Sequence, residues 1–255
     1  MTYSIVTSRT LEYRAPGRLD EETVDDVRDT HLANPWVNDA KDSRAESARE
    51  QIVRAAARQF AVRPYHLVSL DDILAEAEVT KGAMYFHFRS KYALAVTLIE
   101  MYTELAHNTV REQLGLHRSA LETLIDISYL MAVLDVTHDT ARAGIHLLEA
   151  VGRTDNLQAD RMADWVASFG DIAGRAIDEG DIVAGSDPVA ISRVLVSLYT
   201  GIRQTTAFDD AGTSLAAVES SWILVMPGFV DPGRIGYFTQ FVRRRTRVAL
   251  AKVSR

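Results

Sequence analysis

The stretch Thr80-Lys81-Gly82-Ala83-Met84-Tyr85-Phe86-His87-Phe88-Arg89-Ser90-Lys91 decides how the rest of the chain is interpreted. Thr80 is a good N-cap, because its hydroxyl accepts a hydrogen bond from an orphan amide of a first helical turn. Ser90 is a second N-cap, so the stretch predicts one short helix followed at once by the start of another. Small, cationic and phenolic side chains at a helix start favour close approach to phosphates. An ordinary surface turn is the competing interpretation.

The residues before this stretch predict two more helices. Apolar positions at helical spacing between about residues 47 and 62 give one buried face, formed by Ile52, Val53, Ala56, Ala57 and Phe60. Ser69 followed by Asp72 resembles a capping box and opens a short helix. Glu78 and Val79 separate that helix from Thr80. Two short helices joined by a tight turn form a helix-turn-helix unit, whose second helix lies in a DNA major groove.

The segment from residue 47 to residue 95 resembles the amino-terminal signature of the TetR family of transcriptional regulators. The positions that carry the resemblance are Phe60, Tyr65, Ser69, Leu70, Ile73, Ala77, Val79, Thr80, Lys81, Gly82, Ala83, Met84, Tyr85, His87, Phe88, Ser90, Lys91 and Leu94. The resemblance implies an all-α protein, with a helix-turn-helix DNA-binding domain followed by a helical ligand-binding and dimerisation domain. We expect DNA contacts from Thr80, Lys81, Gly82, Ala83, Tyr85, His87, Arg89 and Lys91.

Two residues depart from the family pattern. The family has Gly where this chain has Pro64 and where it has Glu78. Pro cannot adopt a positive φ, so the loop at Pro64 must follow another path. If the turn is unchanged, Glu78 lies in the left-handed region, where a non-Gly residue costs about 1 to 2 kcal/mol. The departures are consistent with an alternative function, a ligand-binding or protein-interaction module of TetR fold with weakened or lost operator binding.

The charge distribution supports a local DNA-binding segment. The 255-residue chain has a formal net charge of -7, which argues against nonspecific coating of nucleic acid. Residues 47 to 91 nevertheless carry seven Lys and Arg against five Asp and Glu. The chain contains no Cys, which excludes disulfides and thiolate chemistry. No stretch approaches about 18 consecutive apolar residues, so we expect a cytoplasmic protein with no membrane partner.

Enzymatic function is not expected. The seven His residues show no metal-ligand spacing, and the sequence lacks the G-x-S-x-G, P-loop and G-x-G-x-x-G motifs. We therefore expect no catalytic residues, no metal and no cofactor. The expected partners are double-stranded operator DNA, a small-molecule inducer and a second copy of the chain.

The chain divides into three predicted parts. These are an acidic amino-terminal extension (1–46), a helix-turn-helix DNA-binding domain (47–92) and a helical ligand-binding and dimerisation domain (93–255). The acidic run at residues 20–27 predicts either a helical turn or a disordered, solvated arm. Near the carboxyl end, the apolar stretch 222–226 is predicted to be a helix terminus rather than a strand, because Pro227 and Gly228 follow it.

Two late apolar stripes predict a dimer interface. Its candidate residues are Leu195, Leu198, Ile202, Phe238 and Val242. Intramolecular core is the competing interpretation of each. The resemblance to TetR proteins, which dimerise through a carboxy-terminal four-helix bundle, favours the interface.

Trp165 is the candidate wall of a ligand cavity, since its large amphipathic ring can cover a flat ligand. Burial in an ordinary core is the alternative. The sequences of residues 81–88, 161–165 and 177–181 are similar to those of the γ-butyrolactone receptor branch of the TetR family, in which the matching Trp lines the pocket. Candidate ligand contacts are Trp165, Met162, Phe169 and Leu130, whereas Trp222 is expected to pack in the core. The branch implies a repressor that a butyrolactone, butenolide or furan-type acid releases from a pseudo-palindromic operator.

Overall fold

The protein is described from a computed structural model that covers residues 48–116, 118–206 and 210–254. The predicted acidic extension lies outside the described residues. The helices are α1 (Ala48–Val62), α2 (Leu70–Ala77), α3 (Lys81–His87), α4 (Lys91–Leu114), α5 (Ala120–Thr137), α6 (Asp139–Val151), α7 (Leu157–Asp178), α8 (Pro188–Thr205), α9 (Ala211–Val225) and α10 (Ile235–Val253). The predicted all-α class is confirmed. Within these ranges, β structure is limited to one antiparallel bridge between Ile182 and Val230.

Side-chain caps set the starts of the helices around the predicted helix-turn-helix. The Thr80 hydroxyl accepts a hydrogen bond from the Ala83 amide at the start of α3. The Ser90 hydroxyl accepts from the Ala93 amide at the start of α4. Ser69 forms a reciprocal capping box at the start of α2. Each cap satisfies an amide that has no partner inside its own helix, so the predicted helix starts are confirmed.

The turn between α2 and α3 keeps its left-handed residue without glycine. Glu78 has φ 54° and ψ 33°, as expected if the turn is unchanged. Pro64 has φ −54° and ψ 141°, and it leads into a single 3-10 turn at Tyr65–Leu67. The loop after α1 therefore follows the different path that proline requires, while the α2–α3 turn retains its geometry.

The first three helices share one small core. Ile52 of α1, Ile73 of α2 and Met84 of α3 are each 0% exposed, and Phe60 of α1 is 1% exposed. The predicted apolar face of α1 is thus buried against α2 and α3. This packing fixes the position of α3 although α3 is too short to be stable alone.

Helix α6 packs against both α1 and α4. The closest approach is at Gly144, where an added Cβ would lie 2.9 Å from the Leu98 carbonyl oxygen and closer still to the Cβ of Tyr102. Two residues on, Nδ1 of His146 lies 3.4 Å from the carbonyl oxygen of Phe60 in α1. Helix α6 therefore links the first three helices to the rest of the chain.

The remaining helices surround α5, which packs against α4, α7, α9 and α10, while α8 packs along α7. Residues 222–226 are helical as predicted, since α9 ends at Val225 and the 3-10 turn Met226–Gly228 follows. The predicted domain boundary between residues 92 and 93 falls in the first turn of α4. One continuous helix therefore belongs to both predicted domains.

Replacing Gly144 with Ala is expected to lower the free energy of unfolding by about 1 to 3 kcal/mol, because the new methyl overpacks the α4–α6 contact. Gly174→Ala in α7 is the matched control, since no atom lies within 4 Å of its added Cβ. That change should leave stability unchanged or raise it by up to about 1 kcal/mol through helix propensity. Urea unfolding of both variants measures the difference. Equal stability of the two variants would contradict the close contact.

Candidate functional site

The exposed face of α3 carries most of the predicted DNA contacts. Lys81, Gly82 and Tyr85 are exposed, and Arg89 follows in the exposed turn before α4. Three other predicted contacts lie at the margins of this face. The Thr80 hydroxyl is engaged as the α3 cap, and Ala83 and His87 are half-buried. These positions bring backbone, cations and a phenol to one surface, which suits a DNA groove.

Phe86 is the most exposed large apolar residue of this face and was not among the predicted contacts. Its exposure is 84%, and its ring contacts the His87 ring edge to face at 5.0 Å. The spacing gives a signal that could have found it, because Phe86 lies one helical turn after the exposed Gly82. An aromatic side chain left in water on a short helix is available to contact thymine methyl groups in a major groove.

Lys91 lies on the inner side of the unit and ties two backbone segments together. Its ammonium donates hydrogen bonds of 2.9 Å to the carbonyl oxygens of Tyr65 and Val68. The same nitrogen lies 4.2 Å from the centroid of the Tyr65 ring. Lys91 was expected to contact DNA. In the protomer its ammonium instead donates to carbonyls at the two ends of the 3-10 turn and holds that turn against the start of α4.

A cavity of about 320 Å³ lies among α4 to α9. Helix α4 lines it from Tyr102 to Leu114, a distance of about 18 Å at 1.5 Å per residue. The wall is mainly apolar. This volume and character suit a small organic molecule, for which pockets of about 300 to 1,000 Å³ are usual.

The predicted ligand residues divide into two pairs. Trp165 and Phe169 line the cavity, and the Trp165 ring packs edge to face on Tyr102 at 5.9 Å. Met162 and Leu130 do not line it. Met162 packs against the core one helical turn before Trp165, beyond the cavity. Helix α5 turns a different face to the cavity from the one carrying Leu130, so the predictions for Met162 and Leu130 are corrected.

Trp222 combines packing with a place in the cavity wall. It is 4% exposed, as expected of a packing residue, yet it also lines the cavity. Its indole Nε1 donates a 2.7 Å hydrogen bond to the Ser128 hydroxyl, which is also part of the wall. Helices α5 and α9 are thus joined at the cavity surface, where the indole donor is already used.

The cavity also has a polar wall. Arg203, whose side chain is 3% exposed, forms an ion pair with Asp135, which is 0% exposed. The Tyr199 hydroxyl donates a 2.7 Å hydrogen bond to Oδ2 of Asp135. Burial raises the pKa of the Asp135 carboxyl, and the Arg203 guanidinium opposes that rise. Burial also raises the pKa of Tyr102, which stays neutral and lines the same region.

The predicted dimer contacts face inward. Leu195, Leu198 and Ile202 line the cavity, and Phe238 and Val242 are each 0% exposed within a single protomer. Their apolar spacing reflects the cavity wall and the core, so these residues offer little or no surface to a partner. The prediction of these five side chains as interface contacts is corrected.

A different apolar surface lies along α9 and α10. Leu224 is 80% exposed, the largest exposure given for a Leu in the described residues. It borders a groove whose other walls include Ala216, Ser220 and Ile223 of α9 and Leu250 of α10. Small side chains one turn apart allow a second helix to approach closely, so this surface suits helix packing. We call it the α9–α10 face.

Two kinds of feature are absent from residues 48–116, 118–206 and 210–254. No helix there is long and apolar enough to cross a membrane. No group of three or more His, Cys, Asp or Glu side chains there is arranged to hold a metal ion.

The comparisons with known proteins agree with this geometry. Residues 52–98 match the family model described as bacterial regulatory proteins, tetR family. The A-factor receptor protein of Streptomyces griseus is 31% identical over 219 residues, which cover 85% of this chain and 74% of that protein. This identity and coverage establish a relationship over both predicted domains.

Two solved structures extend the comparison. A γ-butyrolactone receptor described as ArpA-like superposes with a TM-score of 0.66 at 25% identity, covering 78% of this chain and 96% of that one. The TetR family protein CprB from Streptomyces coelicolor, in complex with its biological operator sequence, gives a TM-score of 0.68 at 26% identity. It covers 79% of this chain and 98% of that one.

Lys91→Met is expected to lower the free energy of unfolding by about 1 to 3 kcal/mol, because two carbonyl oxygens lose a charged donor. Lys81→Met is the control. Lys81 is 68% exposed and lies 3.9 Å from Asp71, so its loss should change stability by less than about 0.5 kcal/mol. Denaturant unfolding measures both. A Lys91→Met protein as stable as the Lys81→Met protein would contradict the internal role of Lys91.

Proposed function

Because the chain belongs to the TetR family of bacterial transcriptional regulators, in its γ-butyrolactone receptor-like branch, we propose that it is a ligand-released repressor. A dimer binds a pseudo-palindromic operator, and a small autoregulator releases the dimer from the DNA. Members of this family are DNA-binding regulators rather than enzymes. The observation that carries the proposal is α4, which begins under the α3 surface and then lines the cavity.

In this proposal α3 enters the major groove and reads the operator with its exposed face. Lys81 and Arg89 neutralise phosphates, which supplies affinity without sequence information. Tyr85 and Phe86 approach the base edges, where an aromatic ring contacts a thymine methyl group. Gly82 and Ala83 bring the backbone near the DNA, since they carry little or no side chain. The operator complex of the related CprB supports this mode.

The proposed dimer forms through the α9–α10 face rather than through the inward-facing stripe on α8. Pairing of α9 and α10 from two protomers gives the four-helix bundle that the family resemblance implies. Burial of Leu224 supports association, since about 25 cal/mol is gained per Å² of apolar surface removed from water. A two-fold axis there fixes the distance between the two α3 helices, as a pseudo-palindromic operator requires.

The proposed inducer occupies the cavity beside Trp165. Its candidate classes are a butyrolactone, a butenolide or a furan-type acid, which the relationship to a γ-butyrolactone receptor and to the A-factor receptor supports. The mainly apolar wall binds the carbon skeleton, and Trp165 covers one side of it.

Release requires that the inducer bind the DNA-incompetent state better than the DNA-competent one. A thousandfold loss of operator affinity corresponds to about 4 kcal/mol of differential binding. Helix α4 is the proposed lever. A ligand seated between Tyr102 and Trp165 shifts α4, and α4 carries the first three helices with it through its capped start at Ser90.

Operator binding is tested with the wild-type protein on promoter fragments flanking its own gene and on sites selected from random duplexes. We expect a specific mobility shift without ligand. Phe86→Ala should weaken binding about tenfold or more, since burying a Phe stabilises by about 1.5 to 3 kcal/mol. Leu67→Ala, which truncates another exposed apolar residue of the same domain, is the control.

Replacing operator thymine with uracil, which lacks the methyl group, should weaken the wild type more than the Phe86→Ala protein. Equal effects on both proteins would remove Phe86 from base reading. Absence of any specific shift at low salt would favour the alternative function, a ligand-binding module without operator recognition.

Leu224→Glu is expected to give a monomer, because it places a charge in the proposed apolar interface. The control is Val194→Glu on α8, where Val194 is 51% exposed and lies outside the α9–α10 face. Light scattering after size exclusion measures the mass. Operator affinity should fall with dimer loss, because the two half-sites are no longer bound together. A dimeric Leu224→Glu protein, or a monomeric Val194→Glu protein, would place the interface elsewhere.

A further inference from the structure

The charged side chains that line the cavity are cationic. Arg203 and Arg111 belong to the wall, and no Asp or Glu of the described residues does. Arg111 is exposed, near the solvent end of α4, whereas the Arg203 side chain is 3% exposed. Of the two cations, Arg203 therefore lies where water screens electrostatic interactions least, and it is the stronger candidate to orient a ligand.

A buried carboxylate holds the Arg203 guanidinium. Asp135 pairs with it, and the Tyr199 hydroxyl donates to the same carboxylate. Arg142 donates to the Asp135 carbonyl oxygen at 3.0 Å, which holds the end of α5 beneath the pair. A guanidinium carries five N–H donors and no acceptor, so it can serve a carboxylate and a ligand oxygen together.

The charge of Arg203 is already compensated. Asp135 is 0% exposed and paired, and Glu149 stands near the same guanidinium, with a pKa that burial raises and Arg203 lowers. The Arg142 guanidinium also acts on Asp135, so two acids already stand beside two guanidinium groups. A ligand carboxylate would be a third acid there, and its charge would have to leave water. A carbonyl oxygen accepts the same hydrogen bond without adding a charge.

We infer that Arg203 is the residue that selects the ligand, and that the cavity takes an uncharged, mainly apolar molecule whose carbonyl oxygen accepts a hydrogen bond from the guanidinium. The inference rests on the proposed function, because it assumes that the cavity is a ligand site. It narrows the ligand classes, since it favours a closed lactone ring over an acid. Asp135 is a positioning residue in this account. It holds Arg203 and sets the charge preference of the site.

The test compares two molecules with one carbon skeleton. The probes are γ-decalactone and the hydroxydecanoate made by opening its ring, titrated calorimetrically into the full-length protein. We expect the wild type to bind the lactone about tenfold or more tightly than the acid, a difference of about 1.4 kcal/mol. Asp135→Asn removes the acid that is paired with Arg203 and leaves a net positive charge at the site, so the preference should reverse in favour of the acid. A merely structural role of Asp135 would lower both affinities without reversing their order.

Two further variants keep the test interpretable. Arg203→Gln combined with Asp135→Asn replaces the ion pair with two amides and should bind both probes weakly and without preference. Arg111→Gln, at the exposed end of the cavity, should change either affinity by less than about threefold, because solvent screens that charge. Operator binding and the thermal midpoint, measured on each variant, show that it is folded.

Three outcomes separate the claims. Lactone preference that reverses in Asp135→Asn supports the assignment. Equal binding of both probes, or an unaltered preference in the Arg203→Gln and Asp135→Asn double variant, overturns the role of Arg203 and leaves the proposed function standing. Failure of the wild type to bind either probe while it still binds its operator overturns the ligand-released repressor and the assignment together.

Discussion

At Gly144, helix α6 comes so close to α4 that an added Cβ would overlap Tyr102, and this contact fixes α6 against α4. Helix α6 also packs on α1, where His146 meets the backbone of Phe60. A change in the position of α4 therefore displaces the first three helices in two ways. One is the direct connection at the capped start of α4, and the other is the packing of α6 against both α4 and α1. Close-packed interfaces of this kind have discrete arrangements rather than continuous ones, which suits a switch.

Buried ion pairs hold the helices around the cavity. Asp126 of α5, 0% exposed, contacts both Arg118 and Arg245, and the latter lies on α10. Asp135, near the other end of α5, holds Arg203 of α8. Such pairs add little net stability, because desolvation offsets their attraction, but breaking one is strongly destabilising. They fix α5 against α8 and α10, so the cavity keeps its walls although its interior is not filled by side chains.

The sequence allowed the starts of α2, α3 and α4 and the turn between α2 and α3 to be predicted closely, since their signals are local. The Thr80 and Ser90 caps, and the left-handed position of Glu78, each depend on residues a few positions apart. The internal hydrogen bonds of Lys91 were not predicted, because its partners, Tyr65 and Val68, lie more than twenty residues before it. A cation next to a helix start gives no sequence signal that tells an internal donor from a phosphate contact.

For the helices after α4, the sequence predicted that they are helical but not which neighbours their apolar faces contact. Apolar spacing on α8 is the same whether the face meets a partner, a core or a cavity, so Leu195 and Ile202 were assigned to an interface although they line the cavity. Trp165 was singled out through family resemblance and lines the cavity, whereas the place of Trp222 in the wall is visible only in the structure. Whether an apolar face meets a partner, the core or a cavity depends on the three-dimensional packing of the helices, which apolar spacing does not encode.

We propose that cavity occupancy and operator binding are linked through α4. The direct measurement is the reciprocal linkage between them: operator affinity with and without a cavity ligand, and the affinity of that ligand with and without operator. Thermodynamics requires the same factor in both directions. We expect each partner to weaken the binding of the other by more than about tenfold. A ligand that fills the cavity and quenches the fluorescence of Trp165, but leaves operator affinity unchanged, would contradict this linkage.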